Sequence, residues 1–177
     1  MHRIIKIFLF VFVLVVAISL FFWKQDSDRK VEMNNLRPQV DSFVLENRTL
    51  LSQVFNADNS VSFSWRVEQK VLDEIKLSKK NLPGKVNFIR LGKNNSVDIL
   101  GLNGGGGSET TISGYTDVTL LDIVDLLQGK KTGPDYWISD AFDSHKIRYV
   151  FPYVENGKVL GGIEIITGSS CHLCIKL

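Results

Sequence analysis

The sequence predicts an α+β protein: an N-terminal transmembrane helix and a long helix come first, followed by an antiparallel sheet with helices largely on one face. Three observations predict this class. They are an apolar run near the N-terminus, an apolar stripe with helical spacing after it, and β-rich runs alternating with turn residues towards the C-terminus. Helices that precede a meander of strands are typical of a layered α+β domain.

The first 23 residues predict a membrane-spanning helix. The run from Ile7 to Trp23 is apolar except for Ser19, and about 20 apolar residues in a helix cross the hydrocarbon core of a bilayer. Arg3 and Lys6 precede the run, whereas acids and bases are mixed after it, which places the N-terminus in the cytoplasm. We therefore expect a single-pass protein of the bacterial inner (cell) membrane whose main domain is periplasmic or extracellular.

A cleaved signal peptide is the alternative interpretation of this segment. Ala17 and Ser19 offer the small residues of a cleavage site. Strongly apolar residues continue beyond them to Trp23, which favours an uncleaved anchor.

The charge balance argues against a nucleic-acid partner. The chain has 21 Lys and Arg and 19 Asp and Glu. Two of the bases, Arg3 and Lys6, precede the apolar run, so the remainder carries 19 of each and is formally neutral. A nucleic-acid-binding surface needs an excess of positive charge.

The segment after the anchor predicts a long helix from Met33 to Phe55. Seven residues recur at spacings of three and four and form one stripe, which is apolar except for a gap at Asn47: Met33, Leu36, Val40, Phe43, Asn47, Leu50 and Val54. Pro38 implies that the continuous helix begins near Arg37 or kinks there. The stripe packs on the chain's own core or on a second copy as a homodimer, and the first is favoured because heptad pairing needs more repeats.

Shorter elements follow the long helix. A second helix is predicted from Phe63 to Leu77, with Trp65, Leu72 and Ile75 facing inward. Runs from Val86 to Leu91 and from Val97 to Leu102 predict a hairpin, and Thr110 to Tyr115 a further strand. A short helix is predicted to be capped by Thr119 and ended by Gly129.

The C-terminal part predicts three antiparallel strands. Tyr136 to Ile138 forms the first, and Ile147 to Val154 and Val159 to Ile166 form a hairpin around Asn156-Gly157. Asn-Gly between β-rich runs is the strongest short-range hairpin signal.

This order of elements, together with the closing residues, resembles the extracytoplasmic Cache sensor domains, which share the PAS-like fold. The residues that carry the resemblance are YWISD at 136–140, IRYVFPYV at 147–154 and ENGKVLGGIEI at 155–165. The resemblance implies a small-ligand pocket on one face of a curved antiparallel sheet, roofed by the short helix and loops, and a signalling role, often in dimers. It divides the chain into a cytoplasmic stub and anchor (1–25), a Cache-like domain (26–167) and a cysteine-containing tail (168–177).

The chain also departs from that family. Typical members have a second spanning helix that leads to an output domain, whereas here the last predicted strand is followed by only a short tail. We therefore expect the signal to pass through a membrane partner or a missing output domain.

Five residues form the predicted ligand-binding set: Tyr136, Trp137, Asp140, Arg148 and Tyr149. An arginine offers a planar fork to a carboxylate, an aspartate accepts from an amine, and aromatic rings exclude water, which predicts an amino or organic acid ligand. Regular alternation places Arg148 and Tyr149 on opposite faces, so both line one pocket only if the strand has a bulge.

Other motifs predict no metal and no cofactor. Cys171 and Cys174 are followed by Ile175 where haem attachment requires a histidine, and a zinc site there lacks a fourth ligand. We expect an exposed tail with a local disulfide or two free thiols. The run Gly104 to Gly107 lacks the Lys-Ser or Lys-Thr of a phosphate loop.

The sequence therefore predicts a membrane-anchored extracytoplasmic sensor-like module that binds a small ligand and is not an enzyme. His145 stands in a predicted hairpin loop without the partners of a catalytic triad. The alternative is a structural or assembly protein of the envelope that binds another membrane protein. A pilin-like subunit is a third interpretation, but the characteristic leader and early glutamate are absent.

Overall fold

A computed structural model describes residues 2–57, 67–79, 82–92, 97–102, 108–109, 117–139 and 146–168. The chain divides into two compact units, Met1–Asn35 and Leu36–Leu177, and we call the second the body. This division falls later than the predicted boundary between residues 25 and 26, and it lies within the first helix.

Helix α1 runs from His2 to Glu46. Within the described residues it is the one helix that is long and apolar enough to cross a membrane. The helix passes through Pro38 without ending, so the first of the two predicted alternatives, a continuous helix that begins near Arg37, is wrong, and the second, a kink at Pro38, stays a prediction. A proline inside a helix removes one backbone hydrogen bond, and here the longer helix tolerates that loss.

The predicted long helix is interrupted at Asn47, and α2 (Arg48–Phe55) follows. The Asn47 amide Nδ2 donates to the carbonyl oxygen of Phe43 at 2.8 Å, and its Oδ1 accepts from Ser78 Oγ at 2.8 Å. The interruption shifts the stripe by one residue, so that Leu51 is buried and Leu50 is half-buried. The buried stripe consists of Leu36, Val40, Phe43, Asn47, Leu51, Val54 and Phe55. The stripe packs within the body, as predicted by the alternative in which it packs on the chain's own core.

Helix α3 runs from Gln69 to Ser78 and buries Val71, Leu72 and Ile75. The inward positions predicted for Leu72 and Ile75 are confirmed. Trp65 and the predicted start of this helix lie in residues 58–66, outside the described part of the chain.

Six antiparallel strands form one sheet in the order β3-β2-β1-β6-β5-β4. The strands are β1 (Lys85–Leu91), β2 (Val97–Gly101), β3 (Ser108–Glu109), β4 (Asp135–Ser139), β5 (Lys146–Glu155) and β6 (Lys158–Gly168). Both predicted hairpins are confirmed. Asn156 and Gly157 have φ values of 51° and 75°, as a tight turn with two left-handed residues requires. The predicted strand at Thr110 to Tyr115 lies outside the described residues.

One face of the sheet, which we call the α2 face, packs against Phe55 at the end of α2. The Phe55 ring stacks on Tyr153 with centroids 4.7 Å apart and meets Phe88 edge-on at 5.8 Å. Gly161 lies opposite Tyr153 and leaves room for the Phe55 ring.

The opposite face, which we call the α4 face, carries helix α4 (Asp117–Leu127). Four helix residues, Ile123, Val124, Leu126 and Leu127, share an apolar cluster with strand residues that include Ile89, Ile99, Trp137 and Val150. The sheet therefore has helices on both faces, whereas the prediction placed them largely on one. Thr119 lies inside α4 rather than capping it, while Gly129 follows the helix with φ 74°, as predicted.

We predict that Gly161→Ala destabilises the body. An added Cβ would clash with the Phe55 ring and stand 2.6 Å from the carbonyl oxygen of Ile89, and overpacking of a core costs about 1–3 kcal/mol. Thermal unfolding of the full chain in detergent measures the loss. Gly168→Ala is the control, because nothing lies within 4 Å of its added Cβ. Equal unfolding temperatures for the two variants would contradict the packing described here.

Candidate functional site

The strand register separates the residues of the predicted ligand-binding set. Tyr136 lies opposite Tyr149, and Trp137 lies opposite Arg148. Residues that pair directly share a face, so the two tyrosines are on the α2 face, whereas Trp137 and Arg148 are on the α4 face. The register shift in β5 is at Tyr153/Val154, too far along the strand to bring Arg148 and Tyr149 together.

The predicted five residues therefore do not line one pocket. The rings of Tyr136 and Tyr149 lie 6.1 Å apart and tilted by 49° on the face away from Arg148. Asp140 lies outside the described residues. A role of any of these residues in ligand binding stays a prediction.

Arg148 belongs to a buried polar group that the sequence analysis did not identify. Its Nη1 donates to Glu164 Oε1 at 3.0 Å, and Asn87 Nδ2 donates to Glu164 Oε2 at 2.6 Å. Arg148, Glu164 and Asn87 come from three neighbouring strands, and we call them the Glu164 cluster. The side chain of Glu164 has no exposed surface, and that of Arg148 is 13% exposed.

The alternation of strand β6 forces Glu164 onto the α4 face. Its neighbours Ile163 and Ile165 are both buried on the α2 face, opposite Phe88 and Val86. Strand β6 is central in the sheet and covered on both sides, so its acid has no exposed position to occupy. A lone acid within the apolar run 163–166 was the sequence signal that could have identified the site.

The two hydrogen bonds compensate much of the cost of burying the carboxylate. An unpaired buried charge costs several kcal/mol, and charge-assisted hydrogen bonds are about twice as strong as neutral ones. Arg148 and Glu164 together are formally neutral, so the cluster presents no net charge to an incoming molecule.

Asn87 supplies an acceptor that the cluster leaves unused. Asn87 is only 3% exposed, and its Oδ1 has no hydrogen-bond partner in the part of the chain that the structure describes. Gly101 lies directly opposite Asn87, and a Cβ built on it would be 3.4 Å from that oxygen. A side chain at position 101 would therefore come into contact with that oxygen.

The apolar surroundings of the cluster continue into the contact with α4. Val150 lies opposite Glu164, and Trp137 lies opposite Arg148. Val150 and Trp137 both belong to the apolar cluster that α4 covers. Helix α4 also packs on β1, β2 and β6, the strands beside the polar group. The α4 face thus combines an apolar wall with three polar side chains, which is the usual composition of a small-ligand site.

Lys131 links α4 to the start of β4. Its Nζ lies 2.6 Å from Asp122 Oδ1 and 3.5 Å from Asp135 Oδ2. The hydrogen bond with Asp122 raises the pKa of Lys131, and the charges of Asp122 and Asp135 add to this effect against the cost of burial. The lysine therefore remains protonated at neutral pH and keeps the helix end close to the strand.

A second buried pair lies on the α2 face. Arg90 Nη1 donates to the carbonyl oxygen of Ala57 at 2.8 Å, and Arg90 Nε lies 4.0 Å from Asp98 Oδ2. Burial raises the pKa of Asp98, and the nearby charge of Arg90 opposes that rise. Because Arg90 connects the chain after α2 to the sheet through this hydrogen bond, we assign the pair a structural role and not a role in ligand binding.

A surface groove of about 390 Å³ lies in the body between α1 and the end of α3. Its lining consists of Pro38, Gln39, Ser42, Phe43, Glu46, Ser78 and Leu82.

Within the described ranges no group of three His, Cys, Asp or Glu residues could hold a metal ion. Cys171, Cys174, His145 and the glycines 104–107 lie outside those ranges.

No protein-family model, curated protein or solved structure matches the chain.

We predict that Arg148→Met and Glu164→Leu are each strongly destabilising, by about 3–5 kcal/mol, because each leaves the other charge buried without its partner. The double variant should recover most of that loss, since apolar replacement of a whole buried ion pair is often neutral. Unfolding of all four proteins in detergent gives the coupling energy. Additive losses in the double variant would show that the two side chains do not act as a pair.

Proposed function

We propose that the chain is a single-pass, membrane-anchored, extracytoplasmic sensor-like module whose body binds a small ligand on the α4 face. The observation that carries this proposal is the Glu164 cluster, in which a buried ion pair lies beside the Asn87 oxygen, a buried acceptor with no partner among the residues that the structure describes. Such a pair adds little stability compared with apolar residues of similar volume. Its presence at the centre of a sheet is better accounted for by recognition of a bound molecule.

The order of elements supports the sensor part of the proposal. The apolar start of α1, the rest of that long helix and a sheet closed by the Asn156-Gly157 hairpin follow one another, in the order expected of the Cache domains that the sequence resembles. Helix α4 covers one face of the sheet, and a short helix over the ligand is what that resemblance implies. An amino or organic acid is the ligand class that the predicted binding residues suggested, and a membrane partner or a missing output domain would receive the signal.

The charges around the apolar segment of α1 support the anchor and its orientation. Arg3 and Lys6 mark the cytoplasmic end, and Phe21, Phe22 and Trp23 suit the outer interface. The side chains from Ile5 to Phe22 are exposed, as expected of a surface that lipid covers.

The two native cysteines allow a test of this orientation. After reduction, a membrane-impermeant maleimide should label Cys171 and Cys174 in right-side-out vesicles but not in inside-out vesicles. Mass spectrometry of the intact chain identifies the label and also detects any cleavage in the first 23 residues. The variant Cys171→Ser/Cys174→Ser controls for other sites of reaction. Labelling in inside-out vesicles alone would reverse the topology, and a shortened chain would establish a signal peptide.

A ligand screen tests the binding function. The full chain in lipid nanodiscs is titrated with amino acids and organic acids by isothermal titration calorimetry. We expect saturable one-to-one binding of one compound, and at least a tenfold loss of affinity in the double variant Arg148→Met/Glu164→Leu. That variant keeps the apolar packing but lacks the cluster. Binding that the double variant retains, or no binding across the panel, would contradict the proposal.

Two exposed leucines favour the alternative of an assembly protein. Leu45 on α1 is 77% exposed, and Leu77 on α3 is 72% exposed. Other residues of the same two helices line the surface groove of the body. Isolated exposed apolar residues are common, so this observation is weaker than the buried cluster. A membrane protein that co-purifies specifically, without ligand binding, would favour the alternative.

A further inference from the structure

We propose that the surface groove of the body binds a small primary ammonium ion with a short apolar chain. The groove lies between α1 and the end of α3, and its volume of about 390 Å³ is within the range of small-ligand sites. It shares no residue with the Glu164 cluster. The inference therefore goes beyond the proposed function and does not depend on it.

The base of the groove is apolar. Phe43 is 3% exposed and Leu82 is 6% exposed, so each presents only a small part of its surface there. Pro38 adds an exposed apolar wall. A short alkyl chain that covers these surfaces removes apolar area from water, which favours binding.

The two serine hydroxyls of the lining face the groove as acceptors, because both donate into the protein. Ser42 Oγ donates to Glu46 Oε1 at 3.0 Å. The single proton of Ser78 Oγ is shared by Asn47 Oδ1 and the carbonyl oxygen of Ile75, both at 2.8 Å. A hydroxyl has one proton and two lone pairs, so both oxygens keep only acceptor capacity for a ligand.

Glu46 gives the groove its charge. It is exposed, it is the one charged side chain among the described lining residues, and Ser42 engages only its Oε1. Gln39 is the one lining side chain with N–H donors. An ammonium group offers three donors and a positive charge to these acceptors, whereas a carboxylate would meet Glu46 and few donors.

The end of α3 adds to the preference for a cation. The helix ends at Ser78, and the C-terminus of a helix carries a partial negative charge. Lys79 follows directly, but it does not line the groove, and its Nζ donates to the carbonyl oxygen of Gly84 at 3.1 Å. The described lining thus combines a carboxylate with a helix C-terminus and has no cationic side chain.

Three probes that share an isobutyl group test the chemistry: isobutylammonium, isobutanol and isovalerate. Ligand-observed NMR titration of the full chain in nanodiscs, with empty nanodiscs as the blank, measures each dissociation constant. We expect isobutylammonium to bind about fivefold more tightly than isobutanol, because an exposed ion pair and a helix end each contribute modestly. Isovalerate should bind most weakly. Equal affinities, or isovalerate as the tightest probe, would overturn the inference.

Three variants at exposed positions of α1 locate the site. Glu46→Gln keeps the shape of the side chain but removes its charge, so the preference for isobutylammonium over isobutanol should disappear. Asp41→Asn is the matched control, since it removes an exposed charge of the same helix outside the groove and should leave that preference unchanged. Ser42→Leu fills the groove and should abolish binding.

Two results with these variants would be incompatible with the site. Equal effects of Glu46→Gln and Asp41→Asn would show an unspecific response to charge, and binding that survives Ser42→Leu would place the amine elsewhere. The double variant Arg148→Met/Glu164→Leu should bind isobutylammonium as the unaltered chain does. Failure of the groove site and failure of the proposed function on the α4 face are therefore measured separately.

Discussion

The pairing of Arg148 with Glu164 depends on a single irregularity in the β5–β6 hairpin. The hairpin begins with Glu155 opposite Lys158, and the register shifts by one residue at Tyr153/Val154. Without that shift, Tyr149 would lie opposite Glu164 and Arg148 would lie on the other face. A shift of one residue exchanges the faces of every following side chain. The bulge therefore decides whether the buried carboxylate of Glu164 has a cationic partner.

This dependence explains why the sequence predicted the elements better than the site. The Asn156-Gly157 turn, the inward residues of α3 and the end of α4 at Gly129 follow from local rules, and the structure confirms them. The bulge has no such local signal. The five predicted binding residues were chosen from one stretch of chain, whereas Asn87 comes from a strand far earlier in the sequence.

Tertiary packing also overrides local rules in the helices. Pro38 is compatible with a helix start, yet α1 continues through it, and the break comes instead at Asn47, which is not a strong helix breaker. The buried Asn47 bonds to Phe43 and Ser78, and these bonds hold the end of α3 beside the break. A polar side chain with partners can interrupt a helix where its local sequence would continue it. Sequence periodicity identified Asn47 as a gap in the apolar stripe but did not predict that the helix is interrupted there.

The two faces of the sheet differ in their capacity for a ligand, and strand β6 connects them. The α2 face is filled, because Gly161 is needed merely to admit the ring of Phe55. The α4 face carries the Glu164 cluster, in which Asn87 Oδ1 has no hydrogen-bond partner within the described part of the chain. Alternate residues of β6 point to opposite faces, so a shift of the β6 backbone at Glu164 would also move Ile163 and Ile165, whose side chains are buried on the α2 face. The sensor role proposed for this chain would use this connection between the two faces, which consists of a single strand.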